Sequence, residues 1–422
     1  MRFQASIGSK NIDYEKIYLY VLIGFAFILP LSRAAISFFT ILLPLIWLFE
    51  GDFKRKFEQI KNQKVILFLA LFIVYGYMSL SWTEVQNFKD GIGIATKPLR
   101  IIFIPMLIII TSLKPEHISK VITGFLLGML VSEILSYGIF FELWILPVGA
   151  GTPLDPSPFM HHLDYSTFLT FTALLLLNRF FTISDLKWKL FYFVYFIFVT
   201  SNLFLNGGKT GQLAFAISIF VVGFLNIKNK FKALVLMLLL ISITIYTAYQ
   251  ISPIFKDRIN NSVKEMIVLQ GNSSEQYNGS SIGLRIGTWL ISKDVIEEYF
   301  FFGTGAGTEN KKIKEYGKKH PDKEYLITTM GSYHNQYIQI FVRLGLIGLL
   351  IYLLMWYFIA KIVIEDKSLS NLRYIFIAVF LIASIPENIF ENQFPMTLFG
   401  IFVGIFIATN NQKLSINNTL IS

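Results

Sequence analysis

The stretch TTMGSYHNQYIQIFVRLGLIGLL, residues 328–350, decides what kind of fold this chain has. Its first residues are polar and turn-forming. From Gln336 onward it enters an apolar run that reaches residue 359. A run of that length matches the roughly 20 residues a helix needs to cross the hydrocarbon core of a bilayer. The stretch is therefore the place where a long polar interval, opening near residue 251, returns to membrane. Further upstream the same interval contains SSIGLRIGTWLISKDVIEEYFFFGTGAG, residues 280–307, followed by a lysine-rich segment. Arg285, the glycines Gly303, Gly305 and Gly307, and His334 with Asn335 all lie in it.

Outward from this interval the chain is apolar. Of its 422 residues 54% are hydrophobic and only 15% charged, whereas a soluble domain carries about 25% charged residues. The pattern predicts an all-α polytopic membrane protein of about twelve transmembrane helices with one large, partly helical periplasmic loop. The span cores fall at 18–31, 35–48, 65–81, 101–113, 121–141, 165–177, 191–205, 213–225, 233–249, 336–359, 374–385 and 394–408. Continuous rather than alternating apolar runs exclude a β-barrel. The first apolar run, from Ile17, flows into the second without a small-residue cleavage site, so no cleavable signal peptide is expected.

Residues 1–250 then hold spans 1–9, residues 251–333 the loop, residues 334–410 spans 10–12, and residues 411–422 a cytoplasmic tail. Alternate short loops are basic, among them the segments with Lys54, Arg55 and Lys56, with Lys228, Lys230 and Lys232, and with Lys361 and Lys367. The positive-inside rule puts these loops and both termini in the cytoplasm and the long loop on the outer side of the membrane. The net charge of +10 is explained by these loops and by the basic run Lys311, Lys312, Lys314, Lys318, Lys319 and Lys323, so nucleic acid is not an expected partner. There is no cysteine, which excludes disulfides, thiolate metal sites and cysteine nucleophiles.

Within the loop, Phe255, Ile259, Val263 and Met266 recur at helical spacing, predicting an amphipathic helix on the membrane surface. GNSSEQYNGS, residues 271–280, reads as a flexible break. A second helix is expected over 284–300, with Trp289, Ile296 and Tyr299 on its apolar face, and GTGAG stops it. That glycine turn is no dinucleotide site, because no βαβ unit precedes it.

Several residues can carry chemistry. Ser332 reads as an N-cap, which places His334 in the first turn of the following helix. An imidazole there can take a proton from a sugar hydroxyl. His334 and Asn335 equally fit a plain helix end. Arg285 can hold phosphate bidentately, or be a solvated loop arginine. Lys209 follows two glycines in LNGGKTGQL, where an anionic ligand could approach the backbone; simple snorkelling also fits. Lys97 and Arg100 enter the fourth span from the same side, and Arg33 lies in the first outer turn. His161 and His162 precede the sixth span, but adjacent histidines diverge and make a weak metal signal. Glu387 and Glu391 lie in the last outer turn, where one of them could orient His334. No metal and no cofactor is expected. The charges gather at one face, which points to chemistry on a lipid pyrophosphate there rather than to an ion carrier.

The order of elements resembles the bacterial O-antigen ligase and polymerase superfamily. The likeness rests on Arg285 followed by Trp289, the turn Gly303-Thr-Gly305-Ala-Gly307, the pair His334-Asn335, and Leu344-Gly345-Leu-Ile-Gly348. It covers the layout of most of the chain, and at motif level the loop and the segment around Lys209. It implies a glycosyltransferase of the inner membrane that takes a glycan from undecaprenyl pyrophosphate, without nucleotide sugar or obligatory metal. For a ligase the acceptor is the lipid A core, within lipopolysaccharide biosynthesis. By this likeness His334 matches the catalytic histidine and Arg285 a pyrophosphate-binding arginine. Lys209 stands where the family usually has an arginine, which keeps the charge but not bidentate binding. Glu391 loosely matches an outer acidic position. A polymerase or a protein O-oligosaccharyltransferase of the same superfamily would share the donor. A lipid-linked glycan transporter, from another class, predicts repeated halves and ionisable residues at mid-membrane.

Overall fold

The computed structural model describes residues 12–144, 151–269, 281–319 and 331–409. The 271–280 break, Lys323 and the 411–422 tail lie outside the described residues. Among those described the chain is all helical, apart from one isolated bridge between Thr152 and Asp155. The helices are α1 (Tyr14–Ile28), α2 (Arg33–Glu50), α3 (Phe53–Ile60), α4 (Lys64–Met78), α5 (Phe88–Pro98), α6 (Ile104–Ser112), α7 (Ile118–Phe140), α8 (His162–Thr182) and α9 (Leu186–Leu205). They continue with α10 (Lys209–Asn226), α11 (Lys230–Ile251), α12 (Pro253–Leu269), α13 (Ser281–Glu298), α14 (Glu309–Lys319), α15 (Gln336–Ala360), α16 (Lys367–Ala383) and α17 (Gln393–Ala408).

Eight helical stretches among the described residues are long and apolar enough to cross a membrane. The other expected spans are the helices α1, α8, α16 and α17. Of these, α1, α16 and α17 are shorter, at 15, 17 and 16 residues, and α8 is interrupted by polar residues. These four are not marginal to the fold. In α17 every residue from Phe394 to Ala408 is buried, and in α8 every residue from Asp164 to Asn178 is. A helix apolar on all faces belongs inside a bundle, which suits QFPMTLFGIFVGIFIA. Several α8 hydroxyls find partners inside the protein: Ser166 Oγ and Thr167 Oγ1 each donate to the Leu163 carbonyl at 3.0 Å, and Thr170 Oγ1 donates to the Gly211 carbonyl at 2.7 Å. Helix α8 packs against α9, α10 and α16, and α17 packs against α6.

The fourth span differs from its expected extent. It starts well before residue 101, as α5, and passes through a π-turn at Leu99–Phe103 into α6. Pro98 precedes that turn and cannot donate a backbone hydrogen bond, so the regular ladder is interrupted there. The expectation that ionisable groups gather at one face also needs correction. Glu133, within α7, is fully buried, and neither carboxyl oxygen has a hydrogen-bond partner among the described residues.

Both helices expected in the long loop are present, as α12 and α13, and α13 packs against α12, α14 and α15. After α13 the glycine turn does more than stop a helix. It docks into a break in α15, where Gly345 has φ 64° and ψ −168°. The Thr304 amide donates to the Val342 carbonyl at 2.8 Å, Gly305 to Arg343 at 3.0 Å, and the Leu346 amide to Phe300 at 2.8 Å. Only glycine fits at 345, since a Cβ there would sit 2.2 Å from the Phe301 carbonyl oxygen and φ is positive. The N-terminal part of α15, residues 336–344, is therefore a separate half-helix gripped by the loop.

Candidate active site

The site forms where that half-helix begins. The sequence reading placed the cap at Ser332 and His334 inside the first turn. The actual N-cap is Asn335, whose side chain accepts from the amides of Tyr337 and Ile338 at 3.0 and 3.1 Å. A side-chain amide competes as well for this role as a serine hydroxyl does, and Asn335 stands two residues before Tyr337. His334 thus precedes the helix, in a left-handed backbone conformation with φ 44°. A non-glycine residue there is uncommon and costs energy, so its neighbours must hold it. The Trp289 indole donates to the Tyr333 carbonyl at 2.9 Å, and the Gln336 amide donates to the Ser384 carbonyl at 2.9 Å.

The held imidazole meets the α16–α17 turn. His334 Nδ1 lies 3.2 Å from Glu387 Oε2. Glu387 is 6% exposed. Burial pushes its carboxyl up, but His334, the Asn388 amide and Arg285 outweigh this and hold it below the usual carboxylate value. An ionised carboxylate only accepts, so Nδ1 carries the proton and Nε2 is the basic atom. From α13, Arg285 Nε donates to the Pro386 carbonyl at 3.0 Å, and its terminal nitrogen lies 3.8 Å from Glu387 Oε2. Histidine, carboxylate and guanidinium therefore converge from three elements that are distant in sequence. The arrangement offers a base oriented by a carboxylate, with a cation beside it.

The remaining sequence candidates are placed as follows. His161 is close enough to Glu387 and Arg33 to feel their charges; burial and the neighbouring His162 hold its pKa below the ordinary imidazole value. His162 Nδ1 lies 3.0 Å from Asp155 Oδ2. Arg33 opens α2 with its guanidinium 5.4 Å from the Phe394 ring centre and forms no ion pair among the described residues. Lys209 opens α10 and donates to Ser262 Oγ on α12 at 2.9 Å. Lys97 donates to the Glu391 carbonyl at 2.9 Å. Arg100 is exposed in the π-turn. Glu391, the residue loosely matched to the superfamily's acidic position, pairs with Arg343 rather than with His334.

The sequence alone gives no site role to Arg343, Glu309 or Asp155, and places Arg258 only on the polar face of the amphipathic loop helix. Arg343 had a legible signal, for it sits in a long run that is otherwise uncharged, and a cation there needs partners. Asp155 and Arg258 had none, because the loop that holds Asp155 and the helix α12 that holds Arg258 are far apart in the chain. Arg258 donates to the carbonyls of Asn206 and Leu154, both at 3.0 Å.

Fold and site together define a helical membrane protein with a histidine–carboxylate–arginine group where a long loop meets the bundle. Residues 194–353 match the O-antigen ligase family model, and this match supports membership of the O-antigen ligase superfamily. It runs from within α9 to within α15 and so includes Arg285 and His334. The chain is also 25% identical, over 342 residues, to an uncharacterised protein of Haemophilus influenzae, covering 80% of this chain and 82% of that one.

Proposed function

We propose that this protein is an O-antigen ligase of the bacterial inner membrane. It takes a glycan from undecaprenyl pyrophosphate and joins it to a sugar hydroxyl of the lipid A core. In this reading about twelve helices span the bilayer, both termini are cytoplasmic, and the loop over 251–333 covers a periplasmic site. The observation that carries the reading is the convergence of His334, Glu387 and Arg285 within a chain of this superfamily.

In this reading His334, Glu387 and Arg285 divide the work of glycosyl transfer. The acceptor oxygen attacks the anomeric carbon, and the bond from that carbon to the pyrophosphate oxygen breaks. The pyrophosphate leaves with the electron pair. His334 Nε2 takes the hydroxyl proton while Glu387 holds Nδ1–H and stabilises the imidazolium that forms. Arg285 absorbs charge developing on the leaving pyrophosphate. Lys209 supplies a second cation on the donor side, with Lys97 and Arg100 as further candidates. The residues required are cationic and imidazole groups of this chain, so the scheme needs no metal.

The test is deletion of the gene and restoration with wild type or His334→Ala, with membrane levels of each checked. Lipopolysaccharide is then resolved on gels and the lipid-linked pool assayed. Loss of the whole ladder in both the deletion and His334→Ala, with full-length glycan accumulating on the lipid carrier, is the expected result. A single repeat unit still capping the core would instead mean a polymerase. Unchanged lipopolysaccharide would overturn the ligase reading and leave protein glycosylation or transport to be tested.

A further inference from the structure

The half-helix 336–344 carries a polar stripe. Gln336, Gln339 and Arg343 recur at i, i+3 and i+7, which puts them on one face. All three reach the turn that holds Glu387. Gln336 Oε1 accepts from the Phe390 amide at 2.9 Å, and Gln339 Oε1 accepts from Asn388 Nδ2 at 3.2 Å. Arg343 pairs with Glu391 Oε1 at 2.7 Å and with Glu309 Oε1 of α14 at 2.6 Å. Arg343 and Glu309 are buried, 8% and 0% exposed, while Glu391 is partly exposed. Two carboxylates exceed one guanidinium by one negative charge. The Lys97 ammonium, 2.9 Å from the Glu391 carbonyl, restores neutrality.

We infer that Arg343 is a positioning residue, which joins the Glu387-bearing turn, the loop helix α14 and the half-helix that follows His334 into one rigid unit. The reason lies two residues further on. At Gly345 the helix breaks, so the half-helix does not inherit its orientation from the rest of α15. Its direction is set by the glycine turn on one side and by the side-chain stripe on the other. Apolar packing alone would let the half-helix rotate or slide. A planar guanidinium shared by carboxylates from two elements fixes both at defined angles. Arg343 acts only through Glu391 and Glu309, and is not itself placed at the reacting atoms. This role rests on the proposed glycosyl transfer at His334.

The experiment uses the full chain in lipid nanodiscs, with undecaprenyl-pyrophosphate-linked oligosaccharide as donor and rough lipopolysaccharide as acceptor. The variants are Arg343→Lys, Arg343→Gln and Glu391→Gln, beside wild type and His334→Ala. Glu391→Gln leaves the Arg343–Glu309 pair intact, so it keeps a folded protein when Arg343→Gln does not. Two readouts are taken: kcat and donor KM, and the rate at which diethyl pyrocarbonate modifies His334, followed by peptide mass spectrometry. For Glu391→Gln the expected result is a kcat loss of about 10²-fold with donor KM and melting temperature little changed, since a small misplacement has that effect. His334 modification accelerates, and Arg343→Lys recovers part of kcat because one charge contact survives. Unchanged kcat and unchanged His334 reactivity in Glu391→Gln would overturn the inference, as would a kcat loss that only tracks the folded fraction. If wild type transfers no glycan yet Glu391→Gln still accelerates His334 modification, the transferase reading fails while the positioning role stands.

Discussion

Two histidine–carboxylate pairs in this protein look alike on paper and differ in what surrounds them. His334 faces Glu387 at 3.2 Å and His162 faces Asp155 at 3.0 Å. Asp155 is heavily used: its Oδ1 accepts from the Gly207 amide at 3.0 Å, from Asn206 Nδ2 at 3.3 Å and from Ser157 Oγ at 3.3 Å. It staples the loop before α8 to the loop before α10. Glu387 accepts one backbone amide on Oε1 and directs Oε2 at His334 and Arg285. Its histidine sits in a strained backbone conformation, whereas His162 starts a regular helix. The lesson is that a dyad becomes a candidate for catalysis when its carboxylate serves the ring and a nearby cation rather than the backbone.

The comparison can be broken most directly at the rings. His334→Ala is expected to lower the rate of glycan transfer by about 10²–10⁴-fold. His162→Ala should leave the rate within about threefold and register instead as a lower melting temperature. Equal losses in both, in a nanodisc transfer assay, would erase the distinction. Next comes Arg285→Ala, with an expected loss of about 10²–10³-fold from removing charge stabilisation. Arg285→Lys should remain impaired, because an ammonium cannot reproduce two-point contact.

Glu387→Gln is expected to reduce kcat by about 10²-fold, through loss of ring orientation. Asp155→Asn should instead destabilise by about 1.5–3 kcal/mol, the value of hydrogen bonds to a charged group, read by thermal unfolding in detergent. At Asp155 burial pushes the carboxyl up, but His162, the Gly207 amide and Arg258 bring it below the ordinary value. A depressed carboxyl contributes its stability above the ordinary carboxylate pKa and loses it as pH falls through the lower folded value. Asn at 155 should therefore flatten the acid limb of stability.

The smallest effect concerns the loop. Glu84 is held at about 2, chiefly by the Lys311 hydrogen bond, and it also pairs with Lys312 at 3.2 Å. By the same sign, this anchorage of α14 persists above the ordinary carboxylate value and fades as pH falls toward about 2. Hydrogen exchange of residues 309–319 should rise across that window, and Glu84→Gln should remove the pH dependence.

Much of this was legible from residue order alone. Apolar run length announced a helical membrane protein, because an unpaired backbone is too costly in hydrocarbon. The loop helices were visible through periodicity. Arg285 and His334 stood out as polar residues flanking the re-entry point. Contacts across the sequence were not legible. Nothing in PENIFENQFP says that Glu387 rather than Glu391 meets His334; a 3-10 turn at Ile389–Glu391 separates the two and turns Glu391 toward Arg343. The capping of α15 by Asn335 was misread because Ser and Asn are equally good caps.

The sequence by itself determined the class of fold and the inventory of charged groups, since hydrophobic burial and backbone satisfaction depend on composition and period. Which carboxylate serves which cation is set by the three-dimensional packing. That choice depends on the break at Gly345, on the loop that fills it, and on three segments more than forty residues apart meeting at ångström distances. Electrostatic function is set by such distances, and chain order does not encode them locally.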